Sequence, residues 1–110
     1  MQLPNGDRAR IDTAKLRDYC LNDSHPLGKH KARVFRSRLG LTLRHESDLR
    51  EALLQAAVME NALPGECDQY GDRFVVDFQM TGPGGTGTVR SAWIILSHED
   101  FPRLLTCYII

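Results

Sequence analysis

The segment Ser24-His25-Pro26-Leu27-Gly28-Lys29-His30-Lys31-Ala32-Arg33 gathers two of the chain's four histidines and three cations around one Pro and one Gly. An imidazole takes or gives a proton near neutral pH. Ammonium and guanidinium groups within a few ångströms stabilise the charge of a phosphorane-like transition state. Lys29 and Arg33 stand one helical turn apart, a spacing at which two cations can meet one phosphate. From Ser24 to His45 the chain carries Lys29, Lys31, Arg33, Arg36, Arg38 and Arg44 and no Asp or Glu, although its formal charge is zero. Such a cationic edge faces a polyanion more naturally than a small neutral ligand. The plainer reading is that His25 caps a helix and the cations form a solvated face.

Two further polar residues sit in otherwise apolar strand patterns. Arg90 and Thr106 are expected to project from the sheet toward the basic helices, Arg90 as a second phosphate contact and Thr106 as a polar contact to substrate. His30 reads as surface, His45 as part of a capping segment and His98 as a polar turn, while Trp93 and Tyr108 read as core. The run Gly82-Pro83-Gly84-Gly85-Thr86-Gly87 lacks the Gly-Lys-Ser/Thr ending of a phosphate loop and joins two strands, so it reads as a flexible hairpin. Asp7, Asp12 and Asp23 form no metal-binding pattern. Cys20, Cys67 and Cys107 include no Cys-x-x-Cys pair, and no Ser-His-Asp or Cys-His spacing is diagnostic. No metal or cofactor is expected.

Periodicity supplies the elements that must hold these groups. A helix from about Thr13 to Leu21, capped by Asp12, puts Leu16, Tyr19 and Cys20 on one face. A second starts at Pro26 with the Ser24 hydroxyl or the His25 ring as cap, buries Ala32, Phe35 and Leu39, and stops at Gly40. Ser47 or Asp48 caps a third, strongest helix to about Asn61. Leu63-Pro64-Gly65 stops it, and Glu66 to Asp72 reads as an acidic loop. The period then falls from 3.6 to 2, predicting strands over Phe74–Met80, Thr88–Leu96 and Arg103–Ile110.

The expected fold is α+β: two to three N-terminal helices packed on one face of a C-terminal antiparallel sheet of three to four strands. One domain, 1–110, divides into a helical, basic half (1–62) and an acidic sheet half (63–110). Residues 1–50 hold 11 Lys/Arg against 6 Asp/Glu, and residues 51–110 hold 3 against 8. A face for anions, or two halves that attract one another, would produce that split.

The opening Leu3-Pro4-Asn5, Lys15-Leu16 with Tyr19, and His25-Pro26-x-Gly28-x-x-Lys31-Ala32 with Phe35 and Leu39-Gly40 resemble a family of small uncharacterised bacterial domains. Trp93-x-Ile95 and Pro102-Arg103-Leu104-x-Thr106 fit it too, so the match runs over nearly the whole chain. More distantly, helices that include a basic Lys/Ala/Phe helix, followed by an antiparallel sheet, resemble the barnase–EndoU–colicin–RelE superfamily. Its members are metal-independent ribonucleases, many of them bacterial toxins. That resemblance implies His25, Lys29, Lys31, Arg90 and Thr106 as the site. The His-x-His and Glu/Arg/His sets of better-known members have no clear counterpart here.

The resulting expectation is a toxin-like endoribonuclease. His25 deprotonates the ribose 2′-OH, Lys29, Lys31 and Arg90 hold the scissile phosphate, and the product is a 2′,3′-cyclic phosphate. RNA and a cognate acidic antitoxin or immunity protein are the expected partners. The alternative is a non-enzymatic binding module whose basic helices dock an acidic protein or a nucleic acid backbone. A third reading, the inhibitor of such a pair, is favoured by the acidic second half and opposed by the basic first half. Unpaired cysteines fit a reducing compartment, the N-terminus has no signal pattern, and no apolar run approaches the about 18 residues of a membrane span. The cytoplasm is therefore the expected location, or a target cell's cytoplasm if a larger secreted effector delivers the domain.

Overall fold

In the computed structural model, which describes residues 1–110, three helices precede a four-stranded antiparallel sheet. The first, α1, begins as Thr13–Lys15 and continues without a break as a π-helical turn, Leu16–Cys20. It is followed by α2 (Lys29–Leu39) and α3 (Glu46–Met59). The strands are β1 (Ala62–Asp68), β2 (Gly71–Gly82), β3 (Gly85–Leu96) and β4 (Arg103–Ile109), ordered in space as in sequence. This is the expected α+β arrangement, with the helices N-terminal to the strands.

Alternation along the strands decides which face the helices cover. Phe74, Val76, Phe78 and Met80 of β2 are buried, and across from them on β3 stand Trp93, Ser91, Val89 and Gly87. Leu104 and Cys107 of β4 join that face, against Leu16 and Cys20, Phe35 and Leu39 of α2, and Leu49, Leu53 and Ala57 of α3. Trp93 is fully buried at the centre. Its indole Nε1–H donates to Ser91 Oγ at 2.9 Å, and that hydroxyl donates to the Val76 carbonyl at 2.7 Å, so neither buried polar group is orphaned.

The opposite face carries the other rows: Asp77, Arg90 and Tyr108 in one, Val75, Ala92 and Thr106 in the next. A bulge between Ala92 and Trp93 shifts the β3–β4 register, so that Arg103 pairs with Ile94. Tyr108, expected in the core, points outward, because its neighbour Cys107 is the residue that faces inside.

The glycine-rich hairpin is tight rather than loose. Its turn lies against the end of α2, where Gly84 N donates to the Leu39 carbonyl at 2.9 Å. Gly40 closes α2 with φ 69°, and a Cβ there would stand 2.7 Å from Gly84 N. A left-handed conformation and a close backbone approach both require glycine at this point.

Two expected boundaries move. Leu63-Pro64-Gly65 does not merely stop a helix, and Glu66 to Asp72 is not a loop: Ala62–Asp68 is β1, Gly71 already begins β2, and Leu63 pairs with Val75. An edge strand tolerates Pro, and six of the seven β1 residues are exposed, so no apolar alternation marked it. The second helix begins at Lys29 rather than Pro26, because residues 24–28 form a turn closed by His25.

Candidate functional site

Lys31 is where the helical layer meets the rim of the sheet. One turn of α2 buries Ala32 and Phe35, and this rotates Lys31 to the flank that overlooks β4. Its Nζ donates to Thr106 Oγ1 at 3.0 Å. The same ammonium stands 5.0 Å from the Tyr19 ring centre and 5.3 Å from that of Tyr108. One hydroxyl and two aromatic rings therefore hold a half-buried positive charge that no carboxylate neutralises.

Both tyrosines extend the array. Tyr19 meets the His25 ring edge-on, with centres 5.0 Å apart. Tyr108 lies across the β3–β4 ladder from Arg90, whose guanidinium its hydroxyl also faces. Arg90 in turn makes a two-pronged pair with Asp77, Nε to Oδ1 at 2.9 Å and Nη2 to Oδ2 at 2.8 Å. The Asp77 carboxylate, ahead of Tyr108, pushes the Arg90 guanidinium above its ordinary range. The structure thus lines up His25, Tyr19, Lys31 with Thr106, Tyr108 and Arg90. Arg90 does not reach toward the helices as expected: it lies on the outer sheet face with only Nη1 uncommitted.

His25 is fixed by its own backbone. Its Nδ1 accepts from the amides of Leu27 and Gly28, each at 3.0 Å. A lone pair used in this way places the proton of the neutral ring on Nε2. His25 therefore presents an N–H donor at Nε2, its Nδ1 lone pair being held by its own turn. Gly28 is buried where a side chain would collide with the Tyr19 carbonyl, which locks the His25 turn against α1. Lys29 falls outside the array, since two residues along a helix separate it from Lys31 by about 200°.

Beside Lys31 opens a cleft of about 430 Å³ lined by Asp12, Ala14, Lys15, Tyr19, Leu105 and Thr106. Asp12 caps α1 by accepting from Ala14 N through Oδ1 at 3.0 Å, and its Oδ2 has no hydrogen-bond partner. It is the only carboxylate lining the cleft. Behind it, the buried Cys20 thiol is drawn down to about 7, first by a hydrogen bond from Cys107 and against the effect of burial. Cys20 itself and burial push Cys107 well up. Both thiols are sealed from solvent, so neither is a nucleophile for a ligand in the cleft. Tyr19, Tyr108, Asp12 and Lys15 were not read as site residues from sequence. Only Tyr108 carried a usable signal there, its alternation with Cys107.

A family model, Domain of unknown function (DUF6883), matches residues 2–110. The chain belongs to that family. The DUF6883 match spans the cleft and the whole array, from Asp12 to Tyr108, and agrees with the resemblance to small uncharacterised domains. None of the curated proteins is similar in sequence. One chain of the contact-dependent growth inhibition toxin–immunity protein complex from Klebsiella pneumoniae 342 has the same fold, with a TM-score of 0.67. The likeness covers 91% of this chain and 98% of that one at 21% identity. At that identity it is a likeness of fold.

Proposed function

We propose that this DUF6883 domain is a toxin-like, metal-independent endoribonuclease. The observation that carries the reading is Lys31, a charge cradled by Thr106, Tyr19 and Tyr108 at the mouth of a cleft and paired with no carboxylate. An unneutralised cation in a partly dehydrated setting suits the oxygens of a phosphodiester entering transition-state geometry. The fold likeness to one chain of a toxin–immunity complex supports a place in such a pair, and the basic first half favours its toxin side.

In this reading the scissile phosphate sits on Lys31, with Thr106 orienting the ammonium and Arg90 Nη1 meeting the phosphate from the sheet side. His25 Nε2–H donates to the phosphate or to the leaving oxygen. Asp12 Oδ2 takes the proton of the ribose 2′-OH, the 2′-oxygen attacks phosphorus, and the P–O5′ bond breaks with water protonating the 5′-oxygen. The products are a 2′,3′-cyclic phosphate and a free 5′-OH. Lys29, on another side of α2, contributes to long-range attraction of RNA rather than to the chemistry. The domain would act in a cytoplasm, its own or a target cell's, and an acidic immunity protein covering Lys31 would silence it.

Total RNA incubated with the protein in EDTA, beside Lys31→Met and His25→Asn, tests the proposal. Asn can still accept from the Leu27 and Gly28 amides, so His25→Asn removes the ring donor while keeping the turn. Fragments ending in cyclic phosphate with the wild type, and at least about a hundredfold fewer with Lys31→Met, are expected. RNA that stays intact while being retarded on a gel would make the domain a binding module. RNA neither cut nor retarded would reassign the cationic edge to a protein partner.

A further inference from the structure

Three arginines converge on Phe101, two residues before β4. The guanidinium carbons of Arg10 and Arg103 each lie 4.9 Å from the ring centre, and that of Arg8 lies at 5.9 Å. Two of them are spoken for. Arg8 pairs with Asp100, and Arg103 makes a two-pronged contact with Glu99, 2.7 Å at both Nε and Nη2. Arg10 is exposed and its guanidinium makes no hydrogen bond or ion pair, although the Glu99 carboxylate stands near enough to feel its charge.

Its backbone is firmly placed. Arg10 N donates to the Pro102 carbonyl at 2.8 Å and its carbonyl accepts from Leu104 N at 3.0 Å, which fastens residues 9–11 along the outer edge of β4. The next residues of that segment, Asp12, Ala14 and Lys15, line the Lys31 cleft. Arg103 also shares the outer sheet face with Thr106, Tyr108 and Arg90, by its pairing with Ile94. Three residues of strand cover about 10 Å. One continuous track therefore leads from the Lys31 cleft to Arg10 and Phe101.

We propose that Arg10, seated over the Phe101 ring, is a nucleobase platform for single-stranded RNA whose adjoining phosphate lies on Lys31. The proposal rests on the RNA-directed reading above and names its substrate class. A guanidinium seated over an aromatic ring leaves its far side open to a base, and a cation that makes no hydrogen-bonded ion pair still attracts the backbone. A base must be unstacked and turned out of a duplex to lie there, so duplex RNA is excluded by geometry.

The test uses fluorescein-labelled 2′-O-methyl oligouridylates, which lack the attacking 2′-OH, in anisotropy titrations at several salt concentrations. A dinucleotide fills the cleft alone and a hexanucleotide reaches the platform. For Arg10→Ala, affinity for the hexanucleotide should fall about tenfold and its salt slope by about 0.7, with the dinucleotide unaffected. Arg10→Lys, which keeps the charge and replaces an exposed side chain, should keep the slope and lose most of the stacking gain. A duplex of the same length should bind no better than the dinucleotide.

Equal losses for dinucleotide and hexanucleotide, or none for either, would overturn the platform while leaving the nuclease reading standing. Duplex binding as tight as single-strand binding would do the same. A wild type that binds no oligonucleotide and leaves total RNA intact would sink the nuclease reading, and the platform with it.

Discussion

Lys31 Nζ donates to Thr106 Oγ1 across a separation of 75 residues in sequence, joining α2 to the last strand at 3.0 Å. The contact is both a clamp between the helical and sheet layers and the way a solitary charge is aimed into the cleft. Thr106→Val keeps the shape of the side chain and removes only the acceptor. It should lower RNA cleavage by about tenfold, the effect of losing one orienting hydrogen bond. Lys31→Met should lower it by about a hundredfold or more, because the charge itself is gone. Single-turnover cleavage rates for the two variants would measure the difference. Equal rates for Lys31→Met and the wild type would remove Lys31 from the chemistry.

Asp77 holds Arg90 through both of its carboxylate oxygens, at 2.9 and 2.8 Å. The pair keeps the outer sheet face from carrying a second free cation. Asp77→Asn should therefore tighten RNA binding and steepen its salt dependence by up to about 0.7, because the Arg90 charge that meets the phosphate is no longer offset by a carboxylate. Fluorescence titration between low and physiological salt reads both quantities. Unchanged affinity with an unchanged slope would mean that Arg90 never meets the backbone.

The ease of reading this chain followed where its signals lay. The 2-residue period of Phe74–Met80 and the stripe of Ala32, Phe35 and Leu39 correctly located β2 and α2, because burial acts directly on side-chain type. β1 was missed because it is an exposed edge strand held mostly by backbone pairing with β2, and backbone pairing leaves little trace in composition. The cationic stretch pointed to Lys31 but could not separate it from Lys29. Their separation depends on which side of α2 is buried against β4. His25 stands out in the sequence for its chemistry, while its tautomer comes from two backbone amides of its own turn, which the sequence does not show. Tyr19 and Asp12 looked like a core aromatic and a helix cap. Asp12 is indeed the cap, and only three-dimensional proximity adds its place in the cleft.

Ser91 is the one buried polar residue in the core, and it serves Trp93. Ser91→Ala would strand the indole N–H in a place no water reaches, at a cost of about 1–3 kcal/mol. Trp93→Phe combined with Ser91→Ala removes donor and acceptor together, leaving only the packing loss of the smaller ring. A double-mutant cycle by urea denaturation should therefore show the two changes to be less than additive. Full additivity would mean the hydrogen bond contributes nothing to stability.

Three carboxylates make stability sensitive to acid. The Arg103 guanidinium holds Glu99 below its ordinary range, Arg8 does the same for Asp100, and the Tyr70 amide with Arg73 does so for Asp68. Each is a stronger acid folded than unfolded, so between the two values the unfolded chain binds more protons and stability rises with pH. Their contribution is complete above the ordinary carboxylate range, about pH 5 and higher. It is lost as the pH falls through the depressed folded-state values. Thermal midpoints recorded from pH 7 to pH 3 should be level at first and then descend. Glu99→Gln should lower the midpoint at pH 7, where the Arg103 pair is lost, and should flatten the acid limb because one titrating group is missing. An acid limb identical to that of the wild type would show that Glu99 has the same proton affinity folded and unfolded, and that the Arg103 contact is not formed in solution.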